Sequence, residues 1–373
     1  MRPTLSAMAR RPCRYIVAGW SMGGRLLVMS VLLLGLAACA TTNSPQLQWD
    51  TRVSPTPLVW PAAPDVPRYR YVGQLTGEEN FRRDEDATAV GHKMVAWLVG
   101  LMAGKSKPVV LQRPQSGFTA ADGRIYVTDV SRGAVYVFDP TAGRLRVWEM
   151  AGKNLRFITP LGIVPGANGQ ILVADADLAR VVRLDHQGHP LGSFGEQELS
   201  RPVGLARDRE RGEIYVADSR AHDIKIFNDS GKLLRTLGHR GAGPGEFNAP
   251  TYLSFAHGRL YVTDTLNARV QIFDRTGKFI RAIGRRGLYL GDLPRPKGVA
   301  VDRDGHLYVV ESYYDYLLVF DDQGKLLLPI GGTGNAIGRF YLPAGVWLDE
   351  RDNVYVADSF NGRVMVFKYL GGK

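Results

Sequence analysis

Cysteine is almost absent from this chain. Of 373 residues only Cys13 and Cys39 carry a thiol. From residue 40 onward the chain can therefore form no disulfide, no thiolate metal site and no Cys-x-x-Cys-His haem attachment. A core of more than about 250 residues does not need such staples. Long basic blocks and basic helices are missing too, which argues against nucleic acid as a partner. The formal charge is +11, but Arg2, Arg10, Arg11, Arg14 and Arg25 supply five of those charges, so +11 less 5 leaves +6 for the rest. That excess of arginine suits anionic partners or a membrane surface. The longest apolar run, Leu26 to Ala38, falls short of the roughly 20 residues of a spanning helix.

What the chain does contain is one stretch repeated six times. Its clearest copy runs from Gly258 through Asp264 and Arg269 to Asp274, followed by Gly277 to Gly284. Leu260 to Val262 and Val270 to Phe273 are β-branched and aromatic runs bounded by turn residues, and they read as short strands. Lys278 to Ile283 supplies an outer strand, and Pro250 to Phe255 a strand that precedes them. The acid closing the second strand recurs as Asp129, Asp175, Asp218, Asp264, Glu311 and Asp358, at intervals of 46, 43, 46, 47 and 47. A period of about 40–50 residues with four strands predicts an all-β, six-bladed propeller of four-stranded antiparallel blades; a helical solenoid would show helical apolar spacing.

The repeats resemble NHL repeats. Asp358-Ser-Phe-Asn361-Gly-Arg363-Val-Met-Val-Phe367, the stretch from Asp264 to Asp274, and bends such as Gly238 to Pro250 carry the resemblance, which covers about residues 116–368. It implies the fold and leaves the function open, because propellers host many unrelated activities. The family includes a metal-dependent lyase acting on peptidyl-hydroxyglycine, in which histidines near the blade openings hold zinc. The corresponding positions here are Gln115, Leu161, Val203, Thr251, Lys297 and Ala344, none of them a suitable ligand. The seven histidines share no place in the repeat, so a three-histidine site is not expected. Propeller lactonases use a Glu, Asn and Asp calcium cluster at the channel mouth. No such cluster can be assembled from this sequence, and a structural or channel Ca2+ is the one cofactor left open.

Residues 1–38 combine a basic region, an apolar region and a small-residue end, the marks of a signal peptide. Leu36-Ala37-Ala38-Cys39 is similar to a bacterial lipobox, which implies cleavage before Cys39 and lipidation there. Ala40, rather than Asp, then favours the outer membrane over retention in the inner one. Residues 39–67 read as a proline-rich tether. Residues 68–75 look like an outer strand; the last repeat lacks one, so they are expected to complete the sixth blade and close the ring. Within the insertion 84–104, the spacing of Val90, Met94, Trp97, Leu98, Leu101 and Met102 predicts a helix over residues 87–103. It either packs on the propeller or dips into a membrane or partner.

The repeated acids are expected to cap backbone N–H groups, or to pair with an arginine five residues on, as in Asp175/Arg180, Asp264/Arg269 and Asp358/Arg363. No catalytic residue is assigned. The candidate binding residues are Tyr313, Tyr314 and Tyr316 in the turn of the fifth blade, with Arg220, His222, Lys297, Tyr341 and Phe360 on the same face. Tyrosine offers a flat apolar surface with a polar end, which suits peptide, glycan or protein partners. The sequence thus points to a lipid-anchored envelope propeller that binds a protein, peptide or glycan. The alternative is a divalent-metal lyase or hydrolase working at the central channel.

Overall fold

The second and third strands of each repeat are apolar on both faces; in Ile125–Asp129 and Ala134–Asp139 every residue is buried. Strands of that kind read as unbroken β-branched and aromatic runs because sheet covers them on both sides. The computed structural model describes residues 46–48, 57–81 and 108–371, and it meets this demand with a propeller of six antiparallel blades. The fourth blade shows the plan: Pro250–Ala256, Arg259–Asp264, Arg269–Asp274 and Phe279–Ile283, each strand pairing with the next. The outermost strand alternates between half-buried and exposed residues, as a blade edge should.

The innermost strands are Pro114–Thr119, Pro160–Pro165, Pro202–Asp208, Pro250–Ala256, Pro296–Val301 and Val346–Leu348. Each packs against the inner strands of its two neighbours, so that they line the axis. They approach so closely that a side chain is excluded at some positions. A Cβ on Gly204 would lie 2.2 Å from the Thr251 carbonyl oxygen, and one on Gly345 would lie 2.3 Å from that of Gln115. Six apolar clusters fill the wedges between neighbouring blades. Tyr308 and Phe367, for example, belong to one cluster between the fifth and sixth blades.

The ring closes as the sequence predicts. Tyr69–Leu75 pairs antiparallel with Arg363–Tyr369 and becomes an outer strand of the sixth blade. The structure adds a fifth strand: Val59–Trp60 pairs with Tyr69 and Arg70. These residues belong to the stretch read as a tether over 39–67. Trp60 packs edge-on to Phe367 with ring centroids 5.3 Å apart, and that apolar contact holds a proline-rich segment against the blade. The signal peptide, Cys39 and the helix over 87–103 lie outside the described residues.

Strand order places the turns between second and third strands at one end of the blades, together with the connectors that lead from one blade to the next. This end is the loop face. The turns between first and second strands, and between third and fourth, lie at the other end.

Candidate functional site

The six strand-end acids come first, because they build the loop face. Each is essentially buried. Asp129 accepts N–H groups from Gln112, Arg113, Ser131 and Arg132 at 2.6–3.1 Å. It thereby ties the turn that follows it to the segment that leads into the inner strand. Asp175 and Asp218 repeat this arrangement. Glu311 does the same with Arg295, Tyr313 and Tyr314, while burial pushes its carboxyl above the usual range. These carboxylates organise backbone.

Two of the three expected arginine pairs form: Arg269 Nε lies 2.9 Å from Asp264, and Arg363 Nε lies 2.7 Å from Asp358. The Asp175/Arg180 pair does not. Both oxygens of Asp175 are already taken by main-chain N–H groups, and Arg180 lies 3.4 Å from Glu196 instead.

The candidate binding residues fall into three rim groups, with Lys297 on an inner strand among them. Tyr313 is 61 % exposed and stands edge-on to Tyr314 at 4.8 Å. Tyr314 and Tyr316 line a cavity of about 250 Å³ with Leu288, Tyr289 and Glu311. Tyr341 and Phe360, both exposed, form an edge-to-face pair at 5.7 Å, and the Arg113 guanidinium sits 4.7 Å from the Phe360 ring centre. Arg220 is exposed on the turn of the third blade. His222, two residues on, accepts the Ala249 N–H on Nδ1 at 3.0 Å, so its ring fastens two blades together. Lys297 is half-buried. Burial, with Arg295 nearby, pushes its ammonium below the usual lysine range.

Two features of this face escaped the sequence reading. The connector into the fifth blade exposes Leu288 by 81 %, Tyr289 by 79 % and Leu290 by 56 %; the signal was an apolar triplet between Gly287 and Gly291. The second is Tyr252. Four other blades carry glycine two residues after the opening proline and the first blade has Ser116, but the fourth blade has this tyrosine. Its hydroxyl donates to the Gln115 carbonyl at 3.1 Å. Gln115 belongs to the first blade, opposite the fourth in a ring of six. Tyr252 thus crosses the axis and closes the channel toward the loop face.

Beyond Tyr252 lies a cavity of about 990 Å³ lined by all six inner strands and reaching Glu210, His257 and Arg275 at the opposite face. Its charges are largely paired: Arg207 with Asp229 at 2.7 Å, and Arg275 with Asp208 and Glu210 at 2.9 and 2.7 Å. Among the described residues no three His, Cys, Asp or Glu side chains form a group able to hold a metal ion.

Comparison with known proteins agrees with this architecture. A family model described as a 6-bladed beta-propeller matches residues 248–289 and 296–373, and the NHL repeat model matches residues 199–227. Protein brain tumor of Drosophila melanogaster is 33 % identical over 89 residues, which are 22 % of this chain. The chain spans 9 % of the length of that curated relative. Virginiamycin B lyase from Staphylococcus aureus superimposes with a TM-score of 0.51 at 13 % identity, over 69 % of this chain and 95 % of that one. A gluconolactonase from Xanthomonas campestris gives 0.53 at 16 % identity, over 80 % and 98 %. An auxiliary nutrient binding protein from Bacteroides ovatus gives 0.54 at 14 %, over 69 % of each. At such identities the likeness is one of fold. The repeat pattern, the matched models and the closed ring of blades together make this chain a six-bladed β-propeller whose repeats are similar to NHL repeats.

Proposed function

We propose that this propeller is a binding module, lipid-anchored at Cys39 in the bacterial envelope, that recognises a protein, an extended peptide or a glycan through its loop face. The observation that carries this reading is where the exposed apolar side chains lie. Leu266, Leu288, Tyr289, Tyr313, Tyr341 and Phe360 all project from the turns and connectors of that face. Soluble surfaces rarely leave so many large apolar groups together unless a partner covers them. Aromatic side chains on a rigid scaffold favour recognition, since little conformational entropy is lost on contact. The basic, apolar and small-residue order of residues 1–38 supports export, and the sequence around Cys39 supports lipidation and the outer membrane.

The lyase and gluconolactonase named among the structural neighbours motivate the second reading, a divalent-metal lyase or hydrolase at the channel. That reading has to find donors that no three described acids, histidines or cysteines bring together.

The test is a crosslinking pull-down from membranes with wild type, Tyr313→Ala/Tyr314→Ala and Tyr341→Ala/Phe360→Ala. A partner captured by wild type and lost from either double variant is the expected result. A partner set unchanged in both would refute the loop-face reading, and stoichiometric metal in the purified protein would favour the enzyme.

A further inference from the structure

The inner strands begin around the axis on the loop face, and this end of the axis is its mouth; beneath it the Tyr252 hydroxyl reaches across to the Gln115 carbonyl. Around that mouth the residues following the opening prolines are Gln115, Leu161, Val203, Thr251, Lys297 and Ala344, and five of the six are uncharged. Gln115 donates to Ser359 Oγ at 2.7 Å, and Thr251 shares a hydrogen bond with Thr265 at 2.6 Å. Lys297 is different. Among the described residues it has neither a hydrogen bond nor an ion pair, and the charge acting on it is the like charge of Arg295.

The surroundings reinforce that surplus. Arginine precedes the opening proline in the first, third and fifth blades, as Arg113, Arg201 and Arg295. The main-chain N–H of each is fixed on a buried acid. Among the described residues only Arg201 has its charge met by a carboxylate, that of Asp177 at 2.6 Å. The Arg113 side chain lies over Phe360, and that of Arg295 reaches Ser312 at 3.2 Å. The strand-end acids are buried under their turns, with their oxygens engaged from within. They cannot reach out to neutralise the mouth. A half-buried ammonium without a counter-ion is costly, and neighbouring charges of one sign concentrate the opposite sign.

We propose that the axial mouth is an anion site, in which a carboxylate or phosphate group of a ligand seats on the Lys297 ammonium, with Arg295 beside it and Tyr252 as its floor. The anion site stands on this geometry alone; its place as the anchor of a larger partner rests on the binding-face reading above. In that arrangement the anionic group docks at the axis and the rest of the ligand spreads over the aromatic rim.

The experiment is titration calorimetry on the full chain with inorganic phosphate and, separately, citrate, in a constant chloride background. Wild type, Lys297→Gln, Lys297→Arg and Tyr341→Ala/Phe360→Ala are compared. The expected result is one saturable site for at least one probe, weakened ten-fold or more by Lys297→Gln and kept within about threefold by Lys297→Arg. Citrate binding without phosphate binding assigns the source as a carboxylate, and the reverse as a phosphate. Lys297→Gln should fold normally, since no partner is removed, and circular dichroism verifies this. No saturable binding of either probe, or equal affinity in Lys297→Gln, overturns the proposal. The aromatic variant separates the two ideas: it should keep anion binding while losing partner capture. If anions bind through Lys297 but capture ignores the aromatic variant, the binding-face reading fails and the anion site stands. If capture follows the aromatics and neither probe binds, the anion site alone fails.

Discussion

A single carboxylate at each strand end serves main-chain donors that arrive from two directions, and this sets its energetic weight. In Asp175→Ala, the N–H groups of Ile158, Thr159, Asp177 and Leu178 lose their acceptor together. Each hydrogen bond to a charged acceptor contributes about 1.5–3 kcal/mol, and buried donors left unmet add to the loss. We expect a loss of at least about 3 kcal/mol in chemical denaturation; a loss under 1 kcal/mol would mean that water replaces the carboxylate. His306 makes a different residue-scale prediction. The hydrogen bond from its Nδ1 to Asp302 Oδ2, 2.8 Å, raises its pKa above the ordinary value of 6.5 despite partial burial. A group raised on folding contributes stability that is fully present below the unfolded value and disappears as pH climbs through the folded one. Burial pushes Asp302 up, but hydrogen bonds from His306 and Tyr308 outweigh it, so the carboxyl ends below 3.8. Its share of stability is lost only on acidification. The melting temperature should therefore fall as pH rises from about 6 to about 9, and His306→Asn should remove that component of the slope. A slope unchanged in the variant would show that the histidine is not the titrating group.

The element that decides whether the molecule holds together is the strand Tyr69–Leu75. It covers Arg363–Tyr369, whose edge would otherwise stand open. Leu75 is wholly buried in the wedge between the sixth and first blades. Leu75→Ala should cost about 2–5 kcal/mol, read in denaturant. A chain beginning at residue 77 should self-associate through the bared strand, which size-exclusion chromatography will detect; a monomer of native stability would show that the ring does not depend on this closure. The strand was legible in advance because the last repeat runs out one strand short. Val59–Trp60 was not. Two residues among prolines have no periodicity, and what recruits them is the Phe367 ring, 307 residues from Trp60.

Across the whole molecule, one tyrosine separates two spaces: a blind mouth on the loop face and a cavity open toward the other. Tyr252→Gly restores the residue that four blades carry at this place, and a crystal structure of that variant should show a water-filled passage along the axis. A channel still closed would mean that another side chain forms the floor. The number of blades, the strand-end acids and the candidate loop face follow from a repeat near 46 residues, since period and apolar patterning are local properties of a chain. The position of Tyr252 could be read as a departure from that pattern; its reach to Gln115 could not, because nothing local brings residues 115 and 252 to opposite sides of one axis. The same holds for the charge at the mouth. Lys297, Arg113 and Arg295 are ordinary basic residues in sequence, and they become a group without carboxylate partners among the described residues only when ring closure gathers inner strands around a common centre while the main chain keeps the strand-end acids occupied.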